Sequence, residues 1–244
     1  MSTIHMFLQE KGGVGKSFAA TLMAQKMIEE GKEPLCIDID PVNPTFFAYK
    51  GINVKRVKIM SGDEIDPFLF DEMINMIAEV QSDTDVIIDN GSSSYVALAS
   101  YITSNEIAAV LSDMGHKLVI HTVIIGGNAL AEIVKNFAKL VASFADETQF
   151  VVWLNPFFGP VEQNGLEFIE FKAYKSNADR IPVVIAIPEF ERKTFGRNLR
   201  EMLEANKTFQ EALEPKAALP VMTRQRLTMI RRDLWASMGN LEAI

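Results

Sequence analysis

The 244-residue sequence contains a single cysteine, Cys36, and no apolar run long enough for a membrane-spanning helix. One cysteine excludes a disulfide framework within the chain and every metal site built from four cysteines. A transmembrane helix needs about 20 consecutive apolar residues, and KLVIHTVIIGG is among the longest apolar stretches here. The first residues, MSTIHMFLQEK, also lack the basic and apolar segments of a secretory signal. These absences predict a reduced, cytoplasmic protein.

Positive charge is scarce in most of the chain and concentrated near its end. The net charge is −8, yet the segment from Arg192 to Arg232 carries ten Lys or Arg against four Glu, a net of +6 that leaves −14 elsewhere. The acidic body argues against a protein covered with nucleic acid. The basic C-terminal region has two interpretations, a surface for DNA or anionic lipid and a pair of helices with solvated basic faces.

Short runs rich in valine and isoleucine alternate along the chain with longer amphipathic segments. The runs do not alternate between polar and apolar residues, which is typical of parallel strands buried on both faces. Strands are predicted over 3–9, 34–40, 85–89, 117–124, 150–155 and 182–188. Helices are predicted over 18–30, 67–81, 94–112, 128–144, 164–177, 197–213 and 222–240. This order predicts an α/β fold with a doubly wound, mostly parallel sheet and helices on both faces, in one domain over residues 1–244.

The segment QEKGGVGKS lies between the first predicted strand and the first predicted helix, the edge at which doubly wound sheets bind ligands. Its glycines let successive N–H groups point at one anion, and the helix N-terminus adds partial positive charge. In such a phosphate loop Lys16 reaches the β- and γ-phosphates, and the Ser17 hydroxyl ligates Mg²⁺. We therefore expect a P-loop NTPase whose nucleotide contacts are Gly12, Gly13, Val14, Gly15, Lys16, Ser17 and Phe18.

The loop departs from the pattern G-x-x-x-x-G-K-[ST], because Glu10 holds its first position. KGGVGKS resembles the deviant Walker A loop of the ParA/MinD-type ATPases, in which that position is not restricted to glycine. A carboxylate directed at a triphosphate would be repelled, so we predict that the Glu10 side chain faces away from the nucleotide. The resemblance implies a catalytic role for Lys11, which would cross an ATP-dependent homodimer interface to the phosphates of the other subunit. An ordinary surface lysine is the alternative.

Aspartates end two of the predicted strands. CIDIDP places Asp38 and Asp40 on the same side of the second strand, and DVIID ends the third strand with Asp89. An apolar strand ending in aspartate behind a phosphate loop predicts that Asp89 holds Mg²⁺ through a coordinated water, with the Gly91–Ser94 loop sensing the γ-phosphate. The resemblance implies that Asp40 orients the attacking water and that Asp38 lies near the Mg²⁺. Where the family often has Gln-Gly-Asn and Cys-Pro-Pro after these motifs, this chain has Val-Asn-Pro and Asn-Gly-Ser.

Two later strand ends are similar to positions at which the family contacts adenine. VVWLNP places Asn155 where relatives read the adenine edge, and IAIPEF places Pro188 and Glu189 where a loop lines the base. The guanine-reading sequence Asn-Lys-x-Asp does not occur in the chain, which favours ATP over GTP. An asparagine that only caps a strand end is the alternative for Asn155.

The last segment, TRQRLTMIRRDLWASMGNLEAI, predicts a C-terminal amphipathic helix over 222–244. Its arginines lie on or beside the polar side, and its apolar stripe consists of Leu227, Ile230, Leu234, Met238 and Leu241. Three interpretations remain: a peripheral helix at the inner membrane, as in MinD relatives, a basic helix on the DNA backbone, or the final helix of the fold docked on the sheet.

Over nearly its full length the sequence resembles the TraL family of conjugative plasmids, in LQEKGGVGKS, IDNGSSSYV, VMTRQRLTMIRR and other segments. The ParA/MinD resemblance implies a slow, Mg²⁺-dependent ATPase that forms an ATP-bound homodimer. It would act on an unidentified partner protein in plasmid transfer or positioning. Two alternatives are a metabolic P-loop kinase or ligase acting on a small molecule, which generally lacks a lysine at position 11, and a scaffold that binds ATP without hydrolysing it.

Overall fold

A seven-stranded sheet forms the centre of the chain in the computed structural model, which describes residues 1–81 and 83–244 apart from the side chains of 242 and 243. The strands are β1 (Ser2–Phe7), β2 (Leu35–Asp38), β3 (Val54–Arg56), β4 (Met60–Ser61), β5 (Glu64–Ile65), β6 (Val86–Asp89), β7 (His116–Ile125), β8 (Gln149–Asn155), β9 (Glu162–Gln163), β10 (Leu166–Glu167) and β11 (Val183–Ala186). The sheet runs in the order β11-β8-β7-β1-β6-β2-β3, and every pairing within it is parallel. The prediction of a doubly wound parallel sheet is confirmed.

Helices surround this sheet. They are α1 (Lys16–Glu29), α2 (Phe70–Ala78), α3 (Tyr95–Ser104), α4 (Ile107–Asp113), α5 (Leu130–Ser143), α6 (Lys172–Lys175), α7 (Phe195–Glu204), α8 (Phe209–Leu213) and α9 (Val221–Ser237). All six residues of β1 are buried, and successive side chains of a strand point to opposite faces, so both faces of the sheet are covered. The buried apolar side chains form one contiguous core.

All six predicted strands are present, and the structure adds β3 at one edge of the sheet. Three residues are too short for a recognisable hydrophobic pattern. The predicted helix over 164–177 is wrong for most of its length. Asn164 and Gly165, both with positive φ, form the turn of a β9–β10 hairpin, and the helical structure is limited to a 3₁₀ turn over Phe168–Glu170 and the short α6. An Asn-Gly pair is a recognised hairpin signal that the apolar spacing of this segment concealed.

Two other predicted helices are each divided in two. Glu106, at φ 51°, separates α3 from α4, and Asn206, at φ 49°, lies between α7 and α8. The new helix α8 begins with a capping box, in which the Thr208 hydroxyl accepts from the Glu211 N–H and the Glu211 carboxylate accepts from the Thr208 N–H. Left-handed backbone at a non-glycine residue interrupts a helix even where the apolar spacing continues.

The C-terminal amphipathic segment is docked on the rest of the fold. Its helix, α9, ends at Ser237, earlier than predicted, and a 3₁₀ turn over Gly239–Ala243 follows. The stripe residues Leu227, Ile230 and Leu234 are buried where α9 packs against α7 and α8, and Met238 is also buried. The stripe therefore contributes to the core, mainly through neighbouring helices rather than directly on the sheet. Among the described residues, no helix is long and apolar enough to cross a membrane.

Candidate functional site

The phosphate loop follows β1, which lies between β6 and β7 at the centre of the sheet. The two residues that lead into the loop are hydrogen-bonded to β7. The Leu8 N–H donates to the His121 carbonyl at 2.8 Å, and the Gln9 side-chain amide donates to the Val123 carbonyl at 2.9 Å. Both bonds join residues more than a hundred positions apart. The loop therefore starts from a fixed point at the carboxyl edge of the sheet, where ligands of such sheets bind.

Two glycines give the loop its curvature. Gly13 and Gly15 have φ values of 73° and 106°, in the left-handed region that other residues rarely adopt. Gly15 is the N-cap of α1 and offers no side chain to the N–H groups of the first helical turn. Those donors, together with the helix dipole, are arranged for an anion. The predicted phosphate-binding geometry is present in the backbone.

Asn155 holds the loop from the side. Its Nδ2 donates to the Val14 carbonyl at 2.9 Å, and its Oδ1 accepts from the Phe157 N–H at 3.1 Å. A Cβ on Gly15 would lie only 2.9 Å from the same Nδ2, so a larger residue cannot occupy this position without moving Asn155. The residue predicted to read adenine thus has a structural role as well.

Lys16 and Asp89 are buried beside each other below the loop. Burial lowers the pKa of Lys16, and the nearby carboxylates of Asp89 and Asp40 oppose that change. Burial raises the pKa of Asp89 to about 7, with a contribution from Asp38, while the Ser17 hydroxyl and Lys16 oppose the rise. Each of the two buried charges therefore partly compensates the other. Their burial still costs free energy, and a bound ligand can relieve that cost.

The neighbouring carboxylates Asp38 and Asp89 differ in their hydrogen bonds. They are directly paired in the β2–β6 register, and both are fully buried. Asp38 accepts from the Asp40 N–H and the Phe47 N–H, each at 2.9 Å, and so holds the loop after β2. Burial nevertheless raises its pKa. Within the described part of the chain, neither oxygen of Asp89 accepts a hydrogen bond of regular geometry, although the Ser17 hydroxyl is close.

An unpaired buried carboxylate beside a serine hydroxyl fits a hydrated Mg²⁺. This ion prefers oxygen ligands, keeps several of its waters, and is held in nucleotide sites by one or two protein groups plus phosphate oxygens. Bound water would supply the donors that Asp89 lacks, and the Ser17 oxygen would be a direct ligand. The predicted Ser17 and Asp89 therefore lie together in a suitable arrangement, with Asp38 next to them.

The predicted water-orienting residue, Asp40, packs directly on the loop after β6. A Cβ added to Gly91 would lie 2.6 Å from the Asp40 Cγ, so a larger residue would displace the Asp40 side chain. Asp40 Oδ1 accepts from the Val42 and Asn43 N–H groups, both at 2.9 Å. The sequence analysis did not predict this contact. The one feature that could have indicated it is the Asn-Gly pair directly after a strand, since a glycine there allows close packing.

A cavity of ≈320 Å³ opens beside the phosphate loop and brings the predicted base-binding residues together. Its lining includes loop residues and all three positions expected to contact adenine, namely Gly13, Gly15, Phe18, Asn155, Pro188 and Glu189. The sequence did not predict its aromatic wall. Phe157, Phe158 and Phe190 line it, and the Arg192 guanidinium lies 5.9 Å from the Phe157 ring centroid and donates to the Phe157 carbonyl. A flat aromatic base suits such a wall.

The two residues that open the motif lie at its surface. Glu10 is exposed. Burial raises the pKa of Tyr95, at the start of α3, and the charge of Glu10 adds to this rise. Lys11 Nζ donates to Glu132 Oε2 at 2.9 Å, in an ion pair with the first turn of α5. No motif in the sequence indicated a role for Glu132. Lys11 is therefore directed at α5 rather than into its own phosphate loop.

Residues 5–221 match the family described as the CobQ/CobB/MinD/ParA nucleotide binding domain. The chain belongs to this family, as the phosphate loop and the topology of the sheet indicate. The match leaves out only the first four residues and the end of the chain from 222, which holds most of α9.

Within this family the chain is similar to proteins named Protein TraL. It is 50% identical over 240 residues to one from Escherichia coli, which spans 98% of each chain, and 49% identical over 235 residues to a second, which spans 96% of each. Among solved structures, the MinC:MinD cell division protein complex of Aquifex aeolicus contains a chain with the same fold. That match covers 96% of both chains with a TM-score of 0.56 at 12% identity.

Proposed function

We propose that the chain is a Mg²⁺-dependent ATPase that acts as a dimerising switch in plasmid transfer or positioning. The observation that carries the proposal is the incomplete cluster of the buried Lys16 and Asp89 and the half-buried Ser17 under a phosphate loop. Membership of the nucleotide-binding family and the similarity to proteins named Protein TraL support it.

Each residue of the site has a proposed role in binding ATP. The N–H groups of the Gly12–Phe18 loop and the Lys16 ammonium hold the phosphates. Ser17 and Asp89 hold Mg²⁺, with Asp38 behind them, and the ion would neutralise charge on the phosphates. The aromatic wall and Asn155, Pro188 and Glu189 enclose the adenine.

Asp40 is proposed to orient the attacking water. Its Oδ1 is occupied by two backbone N–H groups, whereas no described residue donates to Oδ2, so one oxygen is free to accept from water. The backbone bonds and the contact with Gly91 hold the carboxylate in place. Turnover is expected to be slow, because the only base proposed to act on the water is a carboxylate, which is a weak base.

Lys11 is proposed to act across a homodimer. Its ammonium lies at the surface and pairs with Glu132 rather than with its own phosphate loop, which supports a role toward the phosphates of a second copy. A cation supplied in trans neutralises charge that develops during phosphoryl transfer, as an arginine finger does. ATP occupancy and dimerisation would then be coupled, and a partner protein would recognise the dimer.

The basic C-terminal region is proposed as a weak, non-specific contact for DNA or for the anionic inner-membrane surface. The burial of the α9 stripe argues against membrane insertion, so the arginine side chains would make this contact. Several of them are already paired within the chain: Arg231 with Glu29, Arg232 with Asp233 and Arg197 with Glu201. Titration with duplex DNA and with anionic vesicles at two salt concentrations would separate the two surfaces, and binding to neither would leave a freely cytoplasmic protein.

The test of the switch is the solution mass with Mg²⁺ and ADP, and with Mg²⁺ and ATP, combined with phosphate release. We expect a dimer only with ATP, slow hydrolysis that Asp40→Ala abolishes, and loss of the dimer in Lys11→Ala. Lys32→Ala is the matched control, because Lys32 is also an exposed lysine in an ion pair, with Asp85. A monomer in both nucleotides would contradict the switch and favour a small-molecule kinase or ligase. A dimer without hydrolysis would favour a scaffold.

A further inference from the structure

We propose that Glu132 is a positioning residue that holds the Lys11 ammonium within its own subunit and so opposes the ATP-dependent dimer. The 2.9 Å contact between Lys11 Nζ and Glu132 Oε2 joins residues 121 positions apart. This inference rests on the proposed function, because it assigns Lys11 a second position that the lysine must leave in order to act in trans.

The backbone that carries Glu132 is held in place. Glu132 lies in the first turn of α5, which follows Gly126 and Gly127 at the end of β7. A Cβ on Gly126 would lie 2.2 Å from the Gly159 carbonyl oxygen, and one on Gly127 would lie 2.7 Å from the Phe158 carbonyl oxygen. Backbone therefore packs on backbone here, and the start of α5 cannot shift easily. The carboxylate is presented to the phosphate loop at a set position.

The backbone that carries Lys11 is also constrained. The next residue, Gly12, packs against the loop after β6, since a Cβ there would lie 3.1 Å from the Ser92 hydroxyl oxygen. The preceding residue, Glu10, is exposed and lies toward Tyr95. Because both backbones are fixed, the Lys11–Glu132 pair depends mainly on the rotamers of the two side chains.

The pair is weak enough to be broken by a triphosphate. The Lys11 side chain is 38% exposed and that of Glu132 is 62% exposed, so water and salt screen the attraction. A triphosphate carries several negative charges and offers more acceptors than one carboxylate. The lysine would therefore leave Glu132 when a second, ATP-bound copy approaches, but not for a copy that holds no nucleotide.

The experiment compares wild type with Glu132→Gln by sedimentation velocity, in Mg²⁺ and the non-hydrolysable analogue AMPPNP. Two ion pairs are broken per dimer, so the variant should lower the dimer dissociation constant roughly 3- to 30-fold. Glu214→Gln is the matched control, because it also removes the partner of an exposed lysine, Lys216, and should change nothing. An unchanged or raised dissociation constant in Glu132→Gln would overturn the inference.

A kinetic measurement separates positioning from a general structural effect. If Glu132 acts on the monomer, Glu132→Gln should raise the association rate of the dimer and leave its dissociation rate unchanged. Stopped-flow light scattering measures both rates. A change confined to dissociation would place Glu132 in the dimer interface and contradict the inference. A wild type that stays monomeric with AMPPNP would instead contradict the proposed function, so the two failures are distinguishable.

Discussion

Two groups of polar side chains are buried in the same sheet, and their hydrogen bonds are completed to different degrees. The histidine cluster lies on β1, β7 and β8. Trp153 Nε1 donates to His121 Nδ1 at 3.0 Å, and His121 Nε2 lies 2.9 Å from His5 Nδ1. Because the indole can only donate, His121 carries its proton on Nε2 and donates it to His5. Burial lowers the pKa of both histidines, that of His5 to about 4, so the cluster is neutral.

The carboxylate cluster, formed by Lys16, Asp38 and Asp89, lies at the carboxyl edge of the same sheet. It holds charge, and neither oxygen of Asp89 accepts a hydrogen bond of regular geometry among the described residues, although the Ser17 hydroxyl is close. Buried polar groups in folded proteins are nearly always paired, so an unpaired group needs an explanation, and a ligand-binding role is one of them. The comparison of the two clusters shows that burial of polar groups alone does not indicate a binding site. Incomplete hydrogen bonding at the ligand edge of the sheet is the more specific indicator.

The largest effect is expected from removing the cation of the carboxylate cluster. Lys16→Ala should weaken ATP binding by at least about 1,000-fold, or about 4 kcal/mol, because no other buried ammonium faces the loop in the described chain. Isothermal titration calorimetry measures this loss. Lys26→Ala is the control, since Lys26 is also buried on α1 but pairs with Glu30. Binding within tenfold of wild type would show that the cluster is not the phosphate site.

The histidine cluster should respond in stability and not in binding. His121→Ala leaves both Trp153 and His5 without their partner and opens a cavity, so the free energy of unfolding should fall by about 2–4 kcal/mol. Urea denaturation measures the fall, and the folded variant should bind ATP like wild type. His116→Ala is the control on the same strand. Its Nδ1 is already unpaired, so the loss should be smaller, about 1 kcal/mol. Equal losses would contradict the importance of the hydrogen-bonded chain.

The two paired aspartates should give changes of opposite sign. At pH 8, without nucleotide, Asp89→Asn removes a buried carboxylate whose burial cost Lys16 and Ser17 offset only in part, and should raise the free energy of unfolding by roughly 1–3 kcal/mol. Asp38→Asn leaves one acceptor for the two N–H groups that Asp38 serves, and should lower it by about 1–2 kcal/mol.

Urea denaturation of both variants provides the measurement, and titration with Mg²⁺ and ATP should show weaker binding for Asp89→Asn. Stabilities that shift in the same direction would indicate that Asp89 is a structural residue like its neighbour.

The smallest effect concerns pH, to which the two clusters respond with opposite sign. Between about pH 4 and 6.5 the unfolded chain protonates His5 more than the folded chain does, so this contribution to stability rises with pH. Between pH 3.8 and about 7 folded Asp89 retains a proton that the unfolded chain releases, so its contribution falls with pH. Asp89→Asn should therefore steepen the rise in stability by up to about 1.4 kcal/mol per pH unit.

Urea denaturation at pH 5, 6 and 7 checks this slope. Asp233→Asn is the control, because Asp233 is an aspartate on α9, outside both clusters, whose carboxylate is paired with Arg232. An Asp89→Asn slope equal to that of wild type would mean that Asp89 titrates normally, and the contrast between the clusters would then be one of hydrogen bonding alone.

The fold was predictable to the extent that its signals are local. Six strands of the sheet and most helices follow from apolar runs and spacing. The errors lie where tertiary contacts or a single backbone angle decide, at the edge strand β3, the hairpin at Asn164 and the helix break at Glu106. The three residues of β3 become a strand only because β2 offers an open edge for pairing.

The phosphate loop was predictable from local sequence, because KGGVGKS carries its glycines, lysine and hydroxyl within seven consecutive residues next to a helix start. The aspartates at the ends of β2 and β6 were predictable too, since parallel strands bring their carboxyl ends to one edge. The folded chain was needed to show that Asp89 lacks the regular hydrogen bonds that Asp38 has, that Asp40 rests on Gly91, and that Glu132 pairs with Lys11. Such contacts depend on sheet register and on backbone packing between segments that are distant in sequence. A local pattern of residues does not encode how close two such segments come in the folded chain.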